Sequence, residues 1–318
     1  MTGWNIRHIP DQTGRSAVVT GANSGIGYIT ARELARRGAR TVLACRSETR
    51  GRAAVDRLRA EVPHADVQLR LLDLADLTSV RAFAAELADF DGGRLDLLIN
   101  NAGVMALPHR RTADGFEMQF GTNHLGHFAL TGLLLSRLLA TPGSRVVTVS
   151  SGFHALAGVD LDDLNSERGY HRWRAYARSK SANLLFTHEL ARRLTDAGSS
   201  TVAVSAHPGY AATNLQTAGP KMEGRGTVQR IVELANRVLG QSAEGGALPV
   251  LCAATAPHMK PDAFVGPRGG MRGAPAPSFR APWTTDDTTS ERLWSASVKL
   301  TGIAYDFTPP ADPLSPTG

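Results

Sequence analysis

Tyr176 and Lys180 are the two residues of this sequence whose types and spacing most directly suggest chemistry. Four positions apart on a predicted helix, they place a phenol and an ammonium on the same face. A cation about 4 Å from the phenol, at an effective dielectric near 20, favours the phenolate by roughly 4 kcal/mol before desolvation. The spacing therefore predicts a Tyr176 pKa lowered from about 10 toward neutral, suited to a general acid or base acting on an alcohol or carbonyl oxygen. The alternative is two solvated side chains on a helix surface.

A second candidate site is the glycine-rich segment TGANSGIG at 20–27. The pattern predicts a strand, a tight turn and a helix. Gly21, Gly25 and Gly27 would let the backbone approach a pyrophosphate closely and would direct the first amides of the helix toward it. The spacing is G-x3-G-x-G rather than the G-x-G-x-x-G dinucleotide fingerprint, and a glycine-rich turn without a ligand explains it equally well.

Two further apolar runs end in polar residues. One ends at Asn100 and Asn101, and another delivers Ser150 and Ser151. In doubly wound sheets, ligands bind at the carboxyl ends of the strands. Taken alone, the asparagines are equally typical of turns and the serines of loops.

Together these segments resemble the short-chain dehydrogenase/reductase family. The chain matches its TGxxxGxG, NNAG and YxxxK motifs at 20–27, 100–103 and 176–180. The resemblance extends to Asn123, to the serine pair and to the Pro-Gly turn at Pro208, and it covers residues 15 to about 265.

The resemblance implies a catalytic tetrad and a nicotinamide dinucleotide cofactor. The tetrad would be Asn123, Ser151, Tyr176 and Lys180, with Ser151 chosen over Ser150 because the family's serine is usually the second of such a pair. Lys180 would also bind the nicotinamide ribose, and Asn123 would hold a water linking Lys180 to solvent. The cofactor contacts implied by the family are Gly21, Asn23, Ser24, Gly25, Ile26, Gly27, Arg46, Asp73, Leu74, Asn101, Ala102, Gly103, Tyr176, Lys180, Pro208, Gly209 and Thr213.

The end of the second predicted strand bears on which cofactor is used. An NAD-preferring site usually places a carboxylate there for the ribose 2′-hydroxyl, whereas this chain has Cys45 and Arg46. Arg46 offers a planar, permanently charged fork to a 2′-phosphate, worth about 1.5–3 kcal/mol for a charge-assisted bond, with Ser47 as a helper. We therefore predict NADP(H) over NAD(H). The alternative is that Arg46 projects into solvent.

One departure from the family pattern points to a branch. Between Ser151 and Tyr176 lie 24 residues (152–175), about twice the usual separation in the family. This insert, together with ACR at 44–46, NHLGHF at 123–128 and LWSAS at 293–297, is similar to the retinol-dehydrogenase-like branch.

The apolar pattern predicts a doubly wound, Rossmann-type α/β fold with a seven-stranded parallel sheet. Helical runs are predicted at 115–139 and 175–197, and a loop at 266–282. We predict a single domain at 15–265, an N-terminal extension at 1–14, and a C-terminal loop, short helix and tail at 266–318. Strand candidates lie near Ala17, Thr41, Val67, Leu95, Val146, Val202 and Phe264.

Composition argues against several classes of protein and of binding site. The net charge of +6 comes from arginines scattered along amphipathic helices, which argues against a nucleic-acid-binding protein. No apolar run reaches the 18 or more residues of a membrane span. With only two cysteines, the chain is not expected to be held together by a disulfide framework. This fits a protein of the reducing cytoplasm. His124 and His127 lack further ligands at zinc-site spacing, so no metal site is predicted.

The expected function is reversible hydride transfer between NADP(H) and a carbonyl or alcohol. The segment Tyr210 to Thr227 is expected to close over the substrate, and its scarcity of acidic and amide side chains favours a bulky lipophilic carbonyl over a sugar. The family implies a homodimer or homotetramer. A non-catalytic NADP(H)-sensing protein with the same fold is the alternative, although such proteins typically lose the tyrosine or lysine that this chain keeps.

Overall fold

Among the residues that the structure describes, eight strands form one sheet, in the order β3-β2-β1-β4-β5-β6-β7-β8. The computed structural model describes residues 3–87, 90–209 and 242–308. The strands are β1 (Ser16–Thr20), β2 (Arg40–Cys45), β3 (Val67–Leu71), β4 (Leu97–Asn100), β5 (Arg145–Val149), β6 (Val202–Ala206), β7 (Phe264–Pro267) and β8 (Pro275–Pro277). The first seven pair in parallel, as predicted for a Rossmann-type fold, and the order reverses between β1 and β4.

The predicted count of seven strands was wrong by one. The additional strand, β8, pairs antiparallel with β7 and lies within the stretch predicted to be a loop. It has proline at both of its ends, a composition that argues against a strand in sequence. Proline is tolerated at this position because β8 lies at the edge of the sheet.

Helices cover both faces of the sheet. They are α1 (Gly25–Arg36), α2 (Glu48–Glu61), α3 (Leu77–Glu86), α4 (Met118–Phe120), α5 (Gly126–Leu133), α6 (Leu135–Ala140), α7 (Arg172–Asp196), α8 (Ala243–Thr255) and α9 (Asp287–Thr301). Successive residues of β1 alternate between the two apolar layers: Val19 packs with α1, α2 and α8, and Val18 packs with α3, α5 and α7. Within the three described ranges, no helix combines the length and apolarity needed to cross a bilayer.

The helix predicted at 115–139 is not continuous. It consists of α4, a π-helical turn at Gly121–Leu125, α5 and α6, with a break at Leu134. Gly126 follows the π turn, and a Cβ atom there would collide with the backbone oxygen of Leu74. Single π turns within helices are frequent at functional sites, and this one carries Asn123.

The two ends of the described chain pack on this core. Trp4 and Ile9 are buried in the same apolar layer as α1. The C-terminal helix α9 ends at Gly302, which has a φ of 65°, in the left-handed region where glycine commonly ends a helix. Its Trp294 lies against Phe128 of α5 and Phe186 of α7, with ring centroids 5.1 and 6.0 Å away.

Candidate active site

The turn between β1 and α1 has no side chains at Gly21, Gly25 and Gly27, and we call this turn the glycine cradle. Gly21 and Gly25 have φ values of 68° and 56°, in the left-handed region that favours glycine. A Cβ atom on Gly27 would lie 2.6 Å from the backbone oxygen of Gly21. Ser24 precedes the helix without capping it through its side chain, so the first amides of α1 are not engaged by that hydroxyl. A pyrophosphate fits this arrangement of close backbone and helix N-terminus.

Thr20 joins this turn to the end of β4. Its hydroxyl oxygen accepts hydrogen bonds from the backbone amides of Asn101 and Ala102, both at 2.9 Å. The side-chain amide of Asn101 donates in return to the backbone oxygen of Thr20, at 2.7 Å. The two strand ends that flank the switch point of the sheet are therefore held together by side chains.

Asn123 lies in the π turn and is fully buried. Its side-chain oxygen accepts from the amide of Val104 at 2.7 Å, and its nitrogen donates to the Val104 oxygen and the Ser179 hydroxyl, both at 2.9 Å. Asn123 therefore connects the segment after the NNAG motif with helix α7. Both hydrogens of the Asn123 side-chain amide are engaged by protein groups, so any water that this side chain holds has to donate to its oxygen.

Tyr176 lies on α7 and is almost completely buried. Burial raises the pKa of Tyr176 to about 12, and a hydrogen bond with Ser151 counteracts this only in part. The predicted lowering of this pKa was therefore wrong for the protein alone. Desolvation of the buried phenol dominates, and the Lys180 nitrogen, 5.8 Å from the ring centroid, does not offset it.

The Lys180 ammonium is directed at the end of β5. It donates to the backbone oxygen of Val149 at 3.1 Å, and burial lowers its pKa to about 8. A Cβ atom on Gly103 would lie 3.5 Å from the Lys180 nitrogen and 3.1 Å from the Asn123 side-chain oxygen. The NNAG motif is thus in contact with two members of the predicted tetrad.

The two serines at the end of β5 have different partners. Ser150 is buried, and its hydroxyl donates to the backbone oxygen of Lys180 at 2.8 Å. Ser151 is only half-buried, and its side chain lies close enough to the Tyr176 phenol to lower the pKa of that phenol. Only Ser151 is therefore placed to contact an oxygen that also contacts Tyr176.

The remaining predicted cofactor residues lie at neighbouring strand ends. Arg46 follows β2, is exposed, and forms no hydrogen bond or ion pair with another residue of the described ranges.

Asp73 follows β3 and accepts from the Ala75 amide at 3.0 Å, and Leu74 is buried. The Gly209 amide donates to His207 at 3.1 Å. Thr213 and the predicted closing segment 210–227 lie outside the described residues.

His127 belongs to the site, although its sequence context did not indicate this. One ring nitrogen, Nδ1, lies 3.0 Å from the backbone oxygen of Asn123, and Nε2 lies 2.9 Å from the Thr20 hydroxyl. A carbonyl oxygen can only accept, so Nδ1 carries the proton and Nε2 accepts from Thr20. Burial lowers the pKa of His127 to about 4, assisted by the Lys180 charge, so the ring is neutral. The only available sequence signal is its position four residues after Asn123.

His124 has no part in this network. Its Nε2 atom lies 2.9 Å from the hydroxyl of Ser297 on α9, on the other side of the helix from the cofactor cradle. His124 and His127 therefore do not converge on a shared ligand position.

Comparison with known proteins agrees with this geometry. A family model described as short chain dehydrogenase matches residues 15–224. Retinol dehydrogenase 13 of Homo sapiens is 43% identical over 299 residues, covering 91% of this chain and 85% of that protein. Retinol dehydrogenase 12 of Homo sapiens is 41% identical over 297 residues, covering 92% and 88%. An uncharacterised protein from Mycobacterium paratuberculosis has a solved structure that is 44% identical, with a TM-score of 0.78 over 96% of this chain and all of that one. The chain belongs to the short-chain dehydrogenase family, in the branch that resembles the retinol dehydrogenases.

Proposed function

We propose that this chain is an NADP(H)-dependent oxidoreductase that interconverts a carbonyl and an alcohol of a lipophilic substrate, with Tyr176 as the general acid and base. The observation that carries the proposal is the buried Tyr176 phenol, which has the Ser151 side chain beside it and the buried Lys180 ammonium one turn later on the same helix. This group lies at the strand ends that the glycine cradle also occupies. Metal-independent proton transfer at a substrate oxygen is the chemistry that these residue types support.

The protonation state of Tyr176 suits reduction of the carbonyl to the alcohol. Because burial raises the pKa of Tyr176 to about 12, the phenol is protonated at neutral pH and can donate its proton to a developing alkoxide. Ser151 would hydrogen-bond the same oxygen and stabilise its charge. When bound, the nicotinamide of the cofactor supplies or accepts the hydride. In the oxidative direction Tyr176 has to lose its proton, and a positive charge on Lys180 would favour the phenolate.

The preference for NADP(H) is proposed from Arg46. This arginine follows β2, at the position where an acidic residue would accept the ribose hydroxyls of NAD. Its exposed guanidinium is not engaged by any other residue of the described ranges, so it is available to a 2′-phosphate. The Ser47 hydroxyl oxygen accepts from the amide of Arg50 at the start of α2, which leaves the hydroxyl hydrogen free to donate to the same phosphate.

The lipophilic substrate is proposed from the surroundings of Tyr176. Met105, Ala106 and Phe153 pack against its ring and form a separate small apolar cluster. Phe153 is in turn stacked on Trp173, which is 41% exposed, with ring centroids 5.4 Å apart. An apolar surface next to the reacting phenol favours a carbonyl carried on a hydrocarbon skeleton over a sugar.

An NADPH-oxidation screen tests the proposal. The panel would contain aldehydes, ketones, quinones, retinoid and steroid carbonyls, and sugars, each assayed with NADPH and with NADH. We expect turnover of lipophilic carbonyls, faster with NADPH. Binding of NADPH in a fluorescence titration without turnover of any member would instead favour a cofactor-sensing protein. Sugar turnover exceeding that of aromatic ketones would contradict the proposed substrate class.

A further inference from the structure

The insert at 152–175 is hydrogen-bonded to the segment that carries Met105 and Ala106, the apolar neighbours of Tyr176. The hydroxyl of Tyr170 donates to the backbone oxygen of Leu107 at 2.7 Å. Asn165 accepts from the amide of Glu117 at 3.0 Å. These contacts join the insert to residues 104–119, which are distant in sequence and include the apolar neighbours of Tyr176.

Gln119 completes the connection, and every polar atom of its side chain is used. Its oxygen accepts from the amide of Ala106 at 2.7 Å. Its nitrogen donates to the Tyr170 hydroxyl at 2.8 Å and to the backbone oxygen of Arg172 at 2.9 Å. Gln119 is fully buried, so its side chain depends on these hydrogen bonds in place of hydrogen bonds to water. We refer to Tyr170 and Gln119 together as the strut.

The strut ends on a strained residue. Ala106 has a φ of 51°, in the left-handed region that residues with a Cβ atom rarely adopt. Such conformations persist only where the surrounding structure enforces them, and they cluster at functional sites. The amide of Ala106 donates to Gln119, and the carbonyl of the following residue, Leu107, accepts from Tyr170. The strained residue is therefore held on both sides.

Ala106 and Met105 are also the residues that pack against Tyr176. We propose that Tyr170 of the insert is a positioning residue which, through Gln119, fixes Met105–Leu107 as a rigid wall beside Tyr176, so that the insert determines which carbonyl substrates the site accepts. A substrate long enough to reach the wall depends on its position, whereas a short one contacts only the reacting groups. The specificity part of this inference rests on the proposed function; the mechanical part does not.

Tyr170→Phe is the direct test, because it removes one hydroxyl and leaves the ring. Tyr305→Phe is the matched control: like Tyr170, this half-buried tyrosine donates to a backbone oxygen, that of Phe128 on α5 at 2.6 Å, but it has no bond to the strut. Two measurements are made on each variant. Hydrogen exchange follows the backbone amides of 104–109 other than that of Pro108, which has no amide hydrogen, and steady-state kinetics compare decanal with propanal, which share a reacting group and differ in length.

In Tyr170→Phe we expect the amides of 104–109 to exchange at least about tenfold faster, while those in Tyr305→Phe exchange at the wild-type rate. We expect kcat/KM for decanal to fall about tenfold relative to propanal, with the Kd for NADPH unchanged. Unchanged exchange would show that Tyr170 does not hold the wall. Equal loss for both aldehydes would show a merely structural role and overturn the claim on specificity.

Ala106→Gly is a second variant that leaves every hydrogen bond of the strut in place. Glycine adopts the left-handed conformation without strain, so the conformation that the strut enforces should be kept and the decanal preference should stay close to that of wild type. Loss of the preference although the strut is intact would contradict the inference. If the wild type reduces no carbonyl at all, the proposed function and the specificity claim both fail, and hydrogen exchange still decides whether the strut holds the wall.

Discussion

The ammonium of Lys180 donates a hydrogen bond to the backbone oxygen of Val149, 3.1 Å away, in a site where both groups are shielded from water. Burial lowers the pKa of Lys180 to about 8, so holding a charge there costs stability. The loss of stability is greatest well below pH 8, where Lys180 is protonated in both the folded and the unfolded chain. Between pH 8 and the unfolded value of 10.5 the unfolded chain binds more protons, so stability rises with pH.

Replacing this lysine should therefore stabilise the protein while it inactivates it. We expect Lys180→Met to raise the free energy of unfolding by about 1–3 kcal/mol at pH 7, without cofactor, and the gain to shrink as the pH rises toward 10. The Val149 oxygen keeps a second donor, Asn183, at 3.0 Å. Urea titrations at several pH values measure the effect, with the exposed Lys299→Met as the control. A variant that is no more stable than wild type at pH 7 would contradict the assigned cost.

Removing the proton donor should affect turnover alone. We expect Tyr176→Phe to reduce kcat at least ~10²-fold, as for loss of a general acid, with an almost unchanged Kd for NADPH. Steady-state kinetics on the best substrate of the screen and a fluorescence titration measure the two quantities. If the variant keeps more than about a tenth of wild-type activity, Tyr176 is not the donor.

Cofactor discrimination should depend on Arg46. We expect Arg46→Ala to raise the KM for NADPH about ten- to a hundredfold, because a charge-assisted bond to the 2′-phosphate is lost, and to leave the KM for NADH nearly unchanged. Arg52→Ala is the matched control, since Arg52 is also exposed nearby but is paired with Glu48 at 2.6 Å. An equal loss with both cofactors would mean that Arg46 does not recognise the phosphate.

The hydrogen bonds of His127 predict a long-range effect on the reaction. His127→Phe keeps a ring of similar shape but frees both Thr20 and the Asn123 carbonyl, so we expect kcat/KM to fall about ten- to a hundredfold through misplacement of the site. The control is His124→Phe, a buried histidine on the same helix that faces Ser297, for which kcat/KM should stay near wild type.

Two smaller substitutions separate the two ends of the His127 ring. His127→Asn can still donate near the position of Nδ1, and His127→Gln can still accept near the position of Nε2. Greater activity in the asparagine variant would assign the main effect to the Asn123 carbonyl, and greater activity in the glutamine variant to Thr20. Equal losses in His127→Phe and His124→Phe would show that only packing is involved.

Sequence periodicity predicted the parallel sheet and the helix of Tyr176 because both have strong local signals. The buried strands are continuous apolar runs, and the helix from Arg172 to Asp196 has a long amphipathic pattern. The edge strand β8 and the π turn were missed for a different reason. A three-residue strand that begins and ends with proline, and a one-turn change of helix type, are fixed by tertiary packing, such as the contact of Gly126 with Leu74, which leaves no period in the sequence.

The candidate site was only partly accessible to sequence reasoning. Motif spacing brought the chemical groups together on one helix, but the direction of the Tyr176 pKa depends on how deeply the ring is buried, which spacing does not express. Likewise, His127 acts through a backbone carbonyl and a hydroxyl from another strand, and no residue type in its neighbourhood signals either contact.

The helix α9 has a consequence for how the protein is made. Its Trp294 supplies part of the apolar surface against which Phe186 of the Tyr176 helix and Phe128 of the helix after Asn123 rest. These residues leave the ribosome more than a hundred positions before Trp294 does. The outer support of the reacting groups is therefore among the last parts of the chain to be synthesised, and a nascent chain that stops before residue 287 would present exposed aromatic rings to chaperones and proteases in place of a finished enzyme.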